Sequence, residues 1–167
     1  SILNCVKYKY KDDLTKYKSL LDIRKKCIYA AFGIESFDQE TLPKNYPKII
    51  KYLRLASNFN DDEAQYFLGK LHYFGKYLPF NSNKIIQYFL LSANQNNINS
   101  LYWMGIVYFD NEISKRNIQK AIYYFERASE LNHPSAQILL ARIYFDNEFV
   151  PRDITKAIYY GDLASKN

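Results

Sequence analysis

Glycine and proline are scarce, five of each in 167 residues, and cysteine and histidine are scarcer, two of each. With 48% hydrophobic residues, the first shortage excludes a disordered chain and points to packed helices around a continuous core. The second removes the raw material of most catalytic and metal sites. Cys5 and Cys27 have no metal-ligand spacing around them, His72 and His133 stand apart, and no glycine-rich loop is present to cradle a phosphate, so no nucleophile can be paired with a base. No catalytic residue, cofactor site or metal site is expected. Long apolar runs are missing as well: nothing approaches the roughly 20 residues a bilayer crossing requires, and no secretory h-region is present. The chain starts at Ser1 rather than at a methionine, as a removed signal peptide or a trimmed chain would leave it, so cytoplasm, periplasm and secretion all stay open. The two cysteines are read as buried thiols, the alternative being a disulfide that ties down the N-terminal segment.

Aromatic residues are abundant, with 17 Tyr and 11 Phe, and so are positive charges near the start. Residues 1–26 hold eight Lys or Arg against three Asp, a net +5 of the chain's +6. Such a basic segment suits phosphate or acidic protein, but lysines on a solvated helix face are the favoured reading.

One sentence is written four times. Lys48-Ile-Ile-Lys-Tyr-Leu, Lys84-Ile-Ile-Gln-Tyr-Phe, Lys120-Ala-Ile-Tyr-Tyr-Phe and Lys156-Ala-Ile-Tyr-Tyr-Gly recur at a period of 36, the mark of a solenoid whose units bury their apolar faces against one another. Three residues before each lysine stand Asn45, Asn81, Asn117 and Asp153, short acceptors suited to a helix N-cap. The helix each begins carries Ile50, Ile86, Ile122 and Ile158, then Tyr52, Tyr88, Tyr124 and Tyr160, then the small residues Ala56, Ser92, Ala128 and Ala164. That spacing predicts an apolar stripe with a close crossing at the small residue. The other half of each unit reads as a second helix in which Leu68-Gly69, Met104-Gly105 and Leu140-Ala141 mark a close approach. Glycine costs a helix about 1 kcal/mol relative to alanine, so its recurrence signals a packing need. Gly75, Asn111 and Asn147 share the column expected to end that helix in a left-handed residue. Asp61-Asp62-Glu63 stands where acidic side chains cap a helix start, and Asp12-Asp13 reads the same way. In the last copy Phe89 and Phe125, expected to pack on a following hairpin, become Gly161, and Leu90 becomes Asp162, as suits a terminal unit.

The pattern Ala-x3-Leu-Gly-x2-aromatic-x2-Gly, a loop, and then Val150-Pro151-Arg152-Asp153-Ile-Thr-Lys156-Ala157 resembles the Sel-one-like repeat, a relative of the tetratricopeptide repeat. The resemblance covers 64–167 strongly and 28–63 weakly. It departs at Asn111 and Asn147, where the family ends the helix with Gly, and at Ile49 and Ile85, where it has Ala. The resemblance implies an all-α fold, a right-handed α-α superhelix of about four hairpins. One domain is expected over 1–167: a segment or capping helix over 1–19, a degenerate repeat over 20–63 with Phe32-Gly33 as its remnant, and clear repeats over 64–99, 100–135 and 136–167.

In such stacks the first helices line a concave groove, and residues half a turn from the core stripe point into it. These are Tyr66, Lys70 and Tyr73; Tyr102, Ile106 and Phe109; and Ile138, Arg142 and Phe145. Phe74, Asp110 and Asp146 form an edge that becomes acidic toward the C-terminus. A row of large apolar residues marks a protein-recognition surface, unless a terminal segment or a second copy in a homodimer covers it. Trp103 falls on the flank, where partial burial is expected, and His72 shares a column with Tyr108 and Tyr144, which makes it an aromatic substitute rather than a ligand. His133 sits in a turn, with solvent as its expected surroundings. The reading that follows is a non-catalytic module binding a peptide or protein in the groove, as an adaptor, an effector or an immunity-type protein. RNA binding is the runner-up, because hairpins of nearly this period read RNA with polar side chains in a basic groove. Tyr, Ile, Phe and Asp in the expected groove argue against nucleic acid.

Overall fold

A computed structural model describes residues 46–166. The expectations for residues 1–45, which include both cysteines, Asp12-Asp13, Phe32-Gly33, the basic segment and the Asn45 cap, lie outside the described residues. Among the described residues there are seven helices and no strand: α1 (Tyr46–Asn58), α2 (Asp62–Phe74), α3 (Ser82–Ala93), α4 (Ile98–Phe109), α5 (Ile118–Glu130), α6 (Pro134–Phe145) and α7 (Ile154–Ser165). This is an all-α repeat fold. Two compact units, Ser1–Gln95 and Asn96–Asn167, divide the chain. In the first, α1 packs on α2 and α2 on α3; in the second, α4, α5, α6 and α7 pack in succession.

The 36-residue columns are helix boundaries in three dimensions. Asn81, Asn117 and Asp153 each accept a hydrogen bond from the backbone N–H of the lysine three residues on, all at 3.0 Å, a cap worth about 1 kcal/mol. The backbone N–H of Asn117 and of Asp153 in turn donates to the carbonyl of Tyr108 and of Tyr144, which pins each second helix to the first. A further column is made by Asn60, Asn96 and Asn132, all left-handed with φ of 63°, 61° and 64°. Around Asn60 and Asn132 the chain closes a Schellman turn: Asp61 N–H bonds Ala56 O while Asn60 N–H bonds Ser57 O, and His133 and Asn132 repeat this on Ala128 and Ser129. The residue that completes the turn is the N-cap of the next helix, Asp61 for α2 and His133 for α6.

Inside the hairpins, Gly75 ends α2 at φ 68° and Asn147 follows α6 at φ 53°, as the sequence predicts. Asn111 departs from the expectation. Asp110 is already extended at the end of α4, so the chain leaves the helix axis without a left-handed residue, although the Asn111 side chain accepts from Arg116 N–H just as Asn147 does from Arg152 N–H.

The core explains the glycines and corrects the expected stripe. A Cβ on Gly69 would lie 2.6 Å from the Phe89 ring, and one on Gly105 would meet the Phe125 ring as closely. Phe89 and Phe125 therefore pack onto the first helix of their own hairpin. With these rings central, the buried line of each second helix runs through Ile85, Phe89 and Ser92, and through Ala121, Phe125 and Ala128. The expected isoleucines are one residue, or 100°, further round: Ile86 and Ile122 are half-buried, and Ile158 is exposed. The third hairpin replaces glycine by Ala141 and phenylalanine by Gly161 together, and nothing lies within 4 Å of where a Gly161 Cβ would be.

The heading lysines cap pairs of stacked rings. His72 and Tyr88, Tyr108 and Tyr124, and Tyr144 and Tyr160 stack at 5.9, 5.8 and 6.0 Å. Over them lie Lys84, 5.8 Å from Tyr88, Lys120, 5.0 Å from Tyr108, and Lys156, 4.6 Å from Tyr144, each a cation–π contact of about 0.5–1 kcal/mol. His72 is thus an aromatic member of the repeat, with Nδ1 donating to the Pro79 carbonyl at 3.0 Å. In the second unit one carboxylate joins three helices: Glu126 on α5 accepts from the hydroxyls of Tyr144 on α6 and Tyr160 on α7. Burial first, then the nearby Glu126 charge, pushes the Tyr160 hydroxyl well above the usual phenol range.

Candidate functional site

The C-terminal ends of α4 and α6 meet the loop after α6 in the second unit, and a pocket of about 210 Å³ opens there. Phe109 from α4, Leu139 and Ile143 from α6, and Phe149 from the loop supply apolar walls, while Arg142, Asp146 and Glu148 supply the polar lining. The wall is held from several sides. Phe149 meets Phe109 edge-on at 5.0 Å, and the Arg116 guanidinium lies 5.5 Å from the Phe149 ring. Arg116 Nε also donates to the Phe109 carbonyl at 3.0 Å. Arg142 and Asp146 form an ion pair of 3.2 Å one helical turn apart; both are exposed to solvent, so it contributes little to stability. Glu148 is exposed and makes no ion pair among the described residues.

Around the pocket, Ile138 and Phe145 of α6 are 58% and 53% exposed, with the Arg152 guanidinium 4.6 Å over the Phe145 ring. Phe109 is half-buried, since it packs on Phe125 as well as Phe149. Ile106 and Tyr102 are half-buried. The Tyr102 ring stacks at 4.5 Å on His133, whose Nδ1 accepts from Ala136 N–H. His133 is therefore a partly buried helix cap, not a solvated turn residue, and desolvation lowers its pKa below 6.5. Asp110 accepts from Glu112 N–H at 3.0 Å. Trp103 is half-buried.

In the first unit, Phe74 is 49% exposed and meets the half-buried Tyr73 edge-on at 5.2 Å. Tyr66 is no surface residue: it is 6% exposed, wedged against Phe67 and Phe89 under Lys70. The half-turn rule fails there because the Tyr66 ring turns onto Phe67 of its own helix and Phe89 of α3. Thus the second unit brings Phe109, Arg142 and Asp146 together in one pocket, and Tyr66 leaves the candidate surface. Leu139, Ile143, Glu148 and Phe149 are lining residues that the sequence reading does not select. A signal for Phe149 exists, since Tyr77, Ile113 and Phe149 form a 36-residue column inside the loops.

Among the described residues no group of three or more His, Cys, Asp or Glu is placed to hold a metal ion, and no helix is long and apolar enough to cross a membrane.

The Sel1 repeat model matches residues 62–97, 98–133 and 134–167. The chain belongs to the Sel1 repeat family. Its matched Sel1 repeats begin at the first residues of α2, α4 and α6, so each opens with the first helix of a hairpin. A Sel1 repeat protein from Oxalobacter formigenes has the same fold, with a TM-score of 0.71 at 20% identity over 90% of this chain and 46% of that one. A protective antigen of uropathogenic Escherichia coli strains displaying an SLR fold is similar with a TM-score of 0.67, at 20% identity over 70% of this chain. The chain spans a quarter of the antigen's length and under half of the Oxalobacter protein's. No curated protein is a significant match. Sel1 repeat proteins are in general protein-interaction modules and typically non-enzymatic.

Proposed function

We propose that this chain binds a peptide or folded protein on its first helices, with α6 and the adjoining pocket as the principal contact. The observation that carries this is the pair Ile138 and Phe145, large apolar side chains more than half exposed beside an apolar concavity. Contiguous exposed apolar area of this kind marks recognition surfaces, and buried aromatic anchors dominate binding energies. Adaptor, effector and immunity-type roles all use such a surface. Phe109 belongs to the same face, but it also packs on Phe125, so its truncation perturbs the fold as well as the surface.

The test is a pull-down from the native organism with the wild-type chain and with the double variant Ile138→Asp/Phe145→Asp, read by mass spectrometry. The expected result is at least one protein retained by the wild type and lost with the variant, at unchanged helical circular dichroism and melting temperature. Retention of the same proteins by both chains would remove α6 from the binding face. No finding points to RNA.

A further inference from the structure

The pocket beside α6 has a chemistry more specific than apolar recognition, and its walls and rim limit what fits. Its lining is aromatic and branched aliphatic, from Phe109, Leu139, Ile143 and Phe149. A cavity of roughly 150 Å³ already accommodates a benzene ring, so about 210 Å³ takes one phenylalanine or leucine side chain and leaves no room for two. The walls are in place beforehand. Ile143 is 2% exposed, and Phe149 is held between the Phe109 ring and the Arg116 guanidinium, so a ligand need not order them, which lowers the cost of binding.

Among the lining residues Arg142 is positive and Asp146 and Glu148 are negative, while the Arg116 guanidinium stands behind Phe149 with its Nε on the Phe109 carbonyl. Arg142 is already engaged by Asp146. That leaves Glu148, at the edge of the pocket and without an ion-pair partner among the described residues. A carboxylate so placed attracts a cation standing next to the buried side chain and repels an anion there, which makes it a selectivity element more than a source of affinity.

We infer that this pocket is a subsite for a bulky apolar side chain of a partner polypeptide followed by lysine or arginine, the cation meeting Glu148 at the rim. The inference rests on the proposal that partners bind the first helices. Loss of that proposal would appear as a pull-down indifferent to Ile138 and Phe145, whereas loss of the subsite appears in the peptide titration below.

The experiment is a chemical-shift titration of the isotope-labelled 167-residue chain with three capped dipeptides: acetyl-Phe-Lys-amide, acetyl-Phe-Glu-amide and acetyl-Ala-Lys-amide. The expected result is saturable shifts at amides around Phe109, Ile143 and Phe149 with the first peptide, and binding about threefold weaker with the second, the size of one exposed ion pair. The third should give no saturable shift. Glu148→Gln, a surface change that leaves the core untouched, is expected to bring the Lys and Glu peptides to equal affinity. Leu139→Trp, which fills the pocket, is expected to abolish binding of both. Three outcomes would overturn the subsite: equal affinity of the Lys and Glu peptides for the wild type, shifts centred away from the pocket, or a Lys preference that survives Glu148→Gln.

Discussion

Gly69 and Gly105 show how much of this fold depends on the removal of one carbon. Each leaves room for a phenylalanine ring where a Cβ would collide, so Gly105→Ala is expected to destabilise by about 1–3 kcal/mol despite alanine's better helix propensity. Gly161 is the control. No atom lies within 4 Å of its would-be Cβ, and Gly161→Ala is expected to stabilise by about 0.5–1 kcal/mol. Urea melts of the two variants give opposite signs if the ring contact governs, and the same sign if propensity does. His133 makes a second residue-scale claim. Its Nδ1 caps α6 only when unprotonated, and burial holds its pKa below the 6.5 of the unfolded chain. Its stabilising contribution is therefore complete above about pH 6.5 and is lost as the pH falls through that value toward the folded pKa. His133→Asn keeps an acceptor at the cap and is expected to flatten that acid slope in melting temperature against pH.

At the scale of elements, the tyrosine stacks tie helices together, and their polar ends are as informative as their faces. Glu126 links α5 to α6 and α7 through two hydroxyls, while Lys156 lies over Tyr144 and bonds its hydroxyl. Tyr160 stays protonated in the fold well above the usual phenol pKa of 10. Its share of stability is present below pH 10 and is lost as the pH rises past that value, where the unfolded phenol ionises and the folded one does not. Tyr160→Phe is expected to reduce this alkaline loss, as followed by helical circular dichroism between pH 9 and 12. Turns were less legible than helices. The N-cap column was readable because an acceptor three residues before a helix has a fixed job, but Asn111 follows the extended Asp110 and acts through its side chain. Asn60, Asn96 and Asn132 recur plainly in the sequence, yet their left-handed role emerges only from the backbone.

For the molecule as a whole, charge and repeats speak to different questions. Of the net +6, only +1 belongs to residues 27–167, so the repeats lack the basic surplus that backbone binding of RNA demands. A titration with single-stranded RNA is expected to show no saturable binding once residues 1–26 are removed; steeply salt-dependent binding that persists would reverse the ranking of protein over nucleic acid. The period of 36, the caps, the glycines and the Sel1 family were all determined by the sequence, because each is a local demand that recurs wherever the same turn or crossing recurs. Tertiary structure alone decided which helical faces are covered. It put Tyr66 in the core, packed Phe89 and Phe125 onto their own hairpins, and joined Phe109 to Phe149 across a pocket. Burial is set by neighbours distant in the chain, and a helical wheel, which knows only its own helix, does not contain them.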